Sequence, residues 1–169
     1  VYTSLPMIVA EELDAEWSRI RVDPAPVNPA YNHTEWGVQG TGGSTSIKTS
    51  WKQFATAGAT ARAMLVAVAA KIWKVDPSTC RTEKGFVIHE PSAKRLSYGQ
   101  LVHDAAFMVP PTKVKLKNPK DYVFIGRPVP RIDTPHKTNA KAVFSADVVV
   151  PGILTALVAR SAVIGVKVK

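Results

Sequence analysis

The chain has 169 residues, 46% of them hydrophobic and 21% charged, a globular balance that excludes a disordered or collagen-like polymer. Lys and Arg outnumber Asp and Glu by 22 to 13, giving a formal charge of +9; such a surplus suits nucleic acid, an anionic membrane or a phosphorylated ligand without choosing among them. A single cysteine, Cys80, excludes an internal disulfide, leaves the redox compartment open, and reads as a half-buried strand residue.

In chain order, Thr3 or Ser4 is placed to cap a first helix with Pro6 in its first turn, and Leu5, Ile8, Val9 and Leu13 fall at helical spacing. Glu11 and Glu12 read as charges favouring the first turns of that helix, not as a catalytic pair. "WSRIRVDP" alternates loosely through Trp17, Ile20 and Val22 and predicts a strand ended by Pro24. Pro24 to Gly43 form a loop with three prolines and four glycines, and a loop of that length is usually functional or disordered.

The strongest local signal follows. From about Ser46 to Trp73, Phe54, Gly58, Ala61, Leu65, Val68 and Ile72 recur at steps of four and three, which predicts one long helix with a continuous face. Its many alanines allow close backbone approach, so it should be central. "CRTEKGFVIH" predicts a hairpin around Lys84-Gly85, and Ser97 with Gln100 has capping-box spacing for a helix through about Phe107. Pro110-Pro111 stops that helix. The proline-rich "TKVKLKNPKDYVFIGRPVPRIDTPHK" reads as an extended connector over a surface, and "AKAVFSADVVVPGILTALVARSAVIGVKVK" gives two or three strand candidates. The expected division is 1–108, a connector 109–137, and a further piece 138–169. No signal peptide is expected, because no basic stretch precedes the apolar Leu5–Ala10 run, and no membrane span, because Arg62 and Lys71 interrupt the long helix and Asp147 and Pro151 interrupt the Ala142–Ala159 run. Both ends read as cut, so a piece of a longer polypeptide is expected.

Chemistry is sparse. "GTGGSTS" fails the dinucleotide fingerprint, since counting from Gly40 the third glycine would be Thr45; it also fails the P-loop, since no lysine follows Gly42-Gly43. Two readings stay open: a phosphate or pyrophosphate site on free helix-start N–H groups with serine hydroxyls beside them, or a glycine-rich turn with a serine cap. His33, His89, His103 and His136 lack metal-ligand spacing. Lys113, Lys115, Lys117 and Lys120, with Tyr122 and Phe124 beyond, read either as a solvated strand face or as a stacking surface for single-stranded nucleic acid. No Ser-His-Asp or Cys-His set is present.

Taken together, "VYTSLPMIVAEELDAEWSRIRVDPAP", "GTGGSTSIKTSW", "AGATARAML", "LSYGQL", "KLKNPKDYVFIGRPVPRIDTPHK" and "AVFSADVVVPGILTALVAR" resemble a known group. It is the molybdenum-binding large subunit of the isoquinoline 1-oxidoreductase and bacterial aldehyde dehydrogenase type, within the xanthine oxidase family. The resemblance implies an α+β chain: part of a molybdopterin-binding α/β domain, then the opening strands of an α/β hammerhead domain. It implies cofactor contacts from Thr41, Gly42, Gly43, Ser44, Thr45 and Ser46 to a molybdopterin dinucleotide, commonly the cytosine form, with molybdenum. No catalytic residue and no protein metal ligand falls in this stretch. The family's Gly-Gln-Gly element is expected before Val1, and its glutamate base far downstream. The implied reaction is aldehyde oxidation or hydroxylation of an N-heterocycle with water as oxygen source. Implied partners are the rest of the large subunit, a small subunit with [2Fe-2S] clusters, in some cases a cytochrome c subunit, and the aldehyde or N-heterocyclic substrate, with no nucleic acid. The implied location is the bacterial cytoplasm or periplasm. A basic module for nucleic acid or another polyanion is the alternative.

Overall fold

A computed structural model describes residues 1–165 and divides the chain into two units, Val1–Thr134 and Pro135–Lys169. In the first unit, α1 (Ser4–Leu13) packs along α2 (Ser46–Trp73). A three-stranded antiparallel sheet, β1 (Arg81–Glu83), β2 (Phe86–His89) and β3 (Lys94–Ser97), runs in sequence order and leads into α3 (Tyr98–Ala106). The architecture is mixed α+β.

The long helix has the bounds its periodicity predicts. It ends where Lys74 turns left-handed (φ 58°) and returns its N–H to the Ala70 and Lys71 carbonyls. Its buried face is Ala55, Gly58, Ala59, Leu65, Val68, Ala69 and Ala70, slightly rotated from the expected one, and Ile72 is exposed. Gly58, common to both faces, is a point of close approach to α1. A Cβ there would sit 2.6 Å from the Val9 carbonyl oxygen and 2.9 Å from Glu12 Cβ, so only glycine lets the α1 backbone come this close. Lower down, Leu65, Val68 and Ala69 join Val87, Leu101 and Ala105 in the core, with Leu13, Trp73, Leu96 and Tyr98 packed around them. Against the sequence expectation, α2 is long and apolar enough to cross a membrane by length and composition. Within this unit it serves as the helix on which α1, the sheet and α3 pack.

The hairpin forms as predicted. Lys84 (φ 46°) and Gly85 (φ 78°) take the two left-handed positions of a type I′ turn, with Glu83 opposite Phe86. The Ser97–Gln100 capping box opens α3, the Ser97 N–H donating to Gln100 Oε1 at 2.9 Å.

Three expectations need correction. The "WSRIRVDP" strand does not form: Trp17–Arg19 is a single 3-10 turn, and the chain beyond is extended without a ladder neighbour. The Tyr2 hydroxyl donates to the Val22 carbonyl instead. Thr3 and Ser4 do not cap α1 through their side chains; the Thr3 hydroxyl accepts from the Ile132 N–H at 3.2 Å.

The third correction concerns Glu11 and Glu12. They lie late in α1, not at its start, and both are buried. Glu11 accepts from the N–H groups of Val123, Phe124 and Ile125, and Glu12 from the Lys117 N–H at 3.0 and 3.1 Å. These two carboxylates tie the proline-rich segment onto α1, so it is anchored in the fold and not merely laid across a surface.

In the second unit, α4 (Thr134–Thr138) begins at the division, and Ser145–Asp147 makes a 3-10 turn. The strand candidates there form no ladder among the described residues, because alternation makes a strand only where a neighbouring strand takes its N–H and C=O groups. The last part of that pattern, residues 166–169, lies outside the described residues.

Candidate anion-binding turn at the start of α2

The glycine stretch is a tight turn feeding α2. Gly43 (φ 55°) and Ser44 (φ 56°) are consecutive left-handed residues, and Ser44 holds that conformation against its own Cβ. Thr45 follows in right-handed geometry, and α2 begins at Ser46. The Thr45 N–H donates to the Gly42 carbonyl (3.2 Å), and the Thr49 N–H to the Thr45 carbonyl (2.9 Å). Among the described residues, the N–H groups of Ser46, Ile47 and Lys48 have no backbone or side-chain acceptor. They point out of the positive end of a 28-residue helix with no acid in its first turn.

Behind the turn stands a small polar and aromatic assembly. His33 Nε2 lies 2.8 Å from the Thr45 hydroxyl oxygen and 3.4 Å from that of Thr49. The Thr45 hydroxyl donates to the Gly42 carbonyl at 3.1 Å. The Trp36 indole stacks on the His33 ring (centroids 4.0 Å apart, 12° between planes) and lies against the glycines. A Cβ on Gly42 would be 3.2 Å from Trp36 Cη2, and one on Gly43 3.4 Å from Cζ2.

Two depressions flank the turn. One, about 520 Å³, is lined by Val1, Thr41, Gly42, Gly43, Ser44 and Ser46 along with Ile47. The other, about 760 Å³, runs between the start of α1 and the loop before α2, with Tyr2, Arg21, Tyr31, His33, Gln39 and Phe54 on its walls. Val1, Thr41 and Ser46 border both.

The six residues singled out from sequence are thus contiguous on one surface feature, but they differ in what they have to offer. Thr41, Gly43 and Ser44 are exposed and Ser46 half-buried, whereas the Thr45 hydroxyl is already committed on both sides. Sequence reasoning passed over His33, Trp36 and Thr49. Spacing carried no signal for them, because His33 meets Thr45 across 12 residues of irregular loop.

The fold withdraws Lys117 from the basic stripe, while Lys113, Lys115 and Lys120 stay exposed. The Lys117 ammonium is bound to Glu11 (3.2 Å) and Asp14 and is only 11% exposed, and the Lys115 carbonyl accepts from Arg62. Burial raises the Glu11 carboxyl, but the N–H groups of Ile125, Val123 and Phe124 and the Lys117 ammonium outweigh it and hold the group below the usual glutamate range. Among the described residues, no cluster of three His, Cys, Asp or Glu side chains is placed to hold a metal ion.

The chain matches known proteins over most of its length. The family model of the molybdopterin cofactor-binding domain matches residues 1–154. The chain belongs to this family. It is 34% identical over 199 aligned positions to the beta subunit of isoquinoline 1-oxidoreductase from Brevundimonas diminuta, covering 97% of this chain and 26% of that protein. It is 31% identical to a membrane-bound aldehyde dehydrogenase (pyrroloquinoline-quinone) of Gluconacetobacter polyoxogenes, covering 90% of this chain and 20% of that one. One of the subunits of nicotinate dehydrogenase from Pseudomonas putida is also 31% identical, over 95% of this chain and 13% of its own length. The chain therefore spans about a quarter or less of these relatives.

Proposed function

We propose that this chain supplies one wall of a molybdopterin dinucleotide site in a molybdenum hydroxylase, with the turn at residues 41–46 holding the phosphates. The observation that carries the reading is the set of unsatisfied N–H groups of Ser46, Ile47 and Lys48 behind a left-handed Gly43-Ser44 pair, in a chain of the molybdopterin-binding family. A pyrophosphate is the anion such a turn fits: the N–H groups donate to its oxygens, the helix dipole favours its charge, and the Ser44 and Ser46 hydroxyls stand beside it. The depression along Thr41 to Ile47 gives it room.

The donor set fits the phosphate part of the cofactor and includes nothing for a metal, so in our reading these residues bind and orient. When bound, the molybdenum centre would supply oxidation with water as the oxygen source. Within this proposal 1–108 belongs to the cofactor-binding domain and 138–169 opens the next. Two of the relatives are named for N-heteroaromatic compounds and one for an aldehyde, so we assign the whole protein to hydroxylation of an N-heterocycle or oxidation of an aldehyde. Electrons would leave through an iron–sulfur partner subunit.

The test is composition. The complete polypeptide, purified from a host that makes molybdopterin dinucleotides, should carry molybdenum and release a nucleotide monophosphate on acid treatment. Ser46→Asp places a carboxylate where the phosphate would sit. Because an acid at a helix start is favourable, the variant should be as stable as the parent or more so, yet retain at least roughly tenfold less nucleotide. Undiminished nucleotide in Ser46→Asp would refute the cradle. Pyrroloquinoline quinone in place of a nucleotide would overturn the cofactor assignment.

A further inference from the structure

The assembly behind the turn has a direction that follows from its hydrogen bonds. His33 Nδ1 faces the Glu35 N–H at 3.2 Å and can only accept there. The ring proton therefore belongs on Nε2, where it donates to the Thr45 hydroxyl at 2.8 Å. That hydroxyl, with its acceptor side occupied, donates onward to the Gly42 carbonyl at 3.1 Å. The Thr45 N–H reaches the same carbonyl at 3.2 Å. Gly42 is thus held by two donors from one residue, and its carbonyl is drawn towards the helix. The Trp36 ring packs close to Gly42 and Gly43, and stacks on the imidazole that starts the chain of bonds.

The loop is closed on itself independently. His33 donates its N–H to the Val38 carbonyl (2.9 Å), its own carbonyl accepts from the Gly37 N–H (2.9 Å), and Asn32 donates to the Gly37 carbonyl (2.6 Å). His33 is therefore fixed at both backbone and ring.

We propose that His33 is a positioning residue for the anion-binding turn, acting through the Thr45 hydroxyl to set the direction of the free N–H groups before a phosphate arrives. This rests on the cradle reading given above and deepens it. Thr45 becomes a link within the protein and leaves the ligand contacts to the N–H groups of Ser46, Ile47 and Lys48 and the hydroxyls of Ser44 and Ser46. Trp36 also leaves little room at position 42, where a Cβ would sit 3.2 Å from the ring that stacks on His33. The arrangement lowers the ordering cost of binding, because the turn need not be assembled around the anion.

The experiment compares His33→Phe, which keeps a flat ring for Trp36 but has no donor, with His33→Gln, whose amide reaches the Nε2 position. Thr45→Val removes the link with His33 intact. Two quantities are read in the complete polypeptide: amide hydrogen exchange at Thr45 and Thr49, whose N–H groups are bonded to the Gly42 and Thr45 carbonyls, and nucleotide retained per polypeptide. His33→Phe and Thr45→Val should each speed exchange at positions 45 and 49 and lower nucleotide retention by roughly three- to tenfold, the worth of one hydrogen bond, with exchange in the rest of α2 unchanged. His33→Gln should restore both. Parental exchange in His33→Phe overturns the proposal, as does His33→Gln behaving like His33→Phe. Should the parent hold no nucleotide, the cofactor reading falls, and the exchange measurements alone decide the role of His33.

Discussion

Replacing Glu11 by Ala should destabilise the first unit more than any surface substitution. The side chain is fully buried, and its two carboxylate oxygens hold three successive backbone donors. The distances are 3.0 and 3.1 Å to Val123, 2.7 Å to Phe124 and 3.0 Å to Ile125, with the Lys117 ammonium at 3.2 Å. Alanine leaves those N–H groups without an acceptor and Lys117 with Asp14 as its remaining carboxylate. Breaking a buried charge network in this way costs about 3–5 kcal/mol, and a domain is commonly stable by only about 5–15 kcal/mol. The loss should appear as a lower urea midpoint with little change in slope. Proteolysis within residues 117–125 should accelerate, because that segment loses its anchor.

The same carboxylate makes a specific pH prediction. Its folded pKa is depressed, so its contribution is fully present above the unfolded value of about 4.3. It is lost as pH falls through the folded value. Parent stability should therefore fall with acidification below about pH 4.5, and Glu11→Ala should show a shallower fall over that range. A destabilisation below about 1 kcal/mol, or identical acid slopes for the two proteins, would refute the reasoning.

Two further outcomes follow from the packing and electrostatics. Gly58→Ala puts a Cβ 2.6 Å from the Val9 carbonyl oxygen, so α1 must shift; the expected loss is about 1–3 kcal/mol despite alanine's better helix propensity, and a variant more stable than the parent in thermal unfolding would contradict it. The Cys80 thiol is pushed up by burial and by the charge of Asp76, so its reaction with a disulfide reagent near pH 8 should be slower than that of free cysteine and should reach the free rate in denaturant.

Local chemistry made several parts of this protein legible in the sequence. The step-of-three-and-four spacing from Ser46 to Trp73, the Lys84-Gly85 turn and the Ser97–Gln100 box each depend on residues close in the chain, and each formed where expected. The family could also be read, because an ordered run of segments survives without any decisive single motif. Position 58 shows the limit of such reading: the sequence marks a glycine on a helix face, but only the approach of Val9 makes glycine obligatory there.

The rest required tertiary partners. Glu11 and Glu12 read as charges favouring the first turns of α1 until residues 117–125, more than a hundred positions away, bring their N–H groups to them. Alternation was no guide either: Ile20 and Val22 have the side chains of a strand, yet no neighbouring strand lies beside them. His33 lacks any spacing signal, and its role exists only because an irregular loop returns it to the start of α2. Periodicity reports which side of an element faces the core, while hydrogen-bond partners across long loops depend on how the elements are assembled.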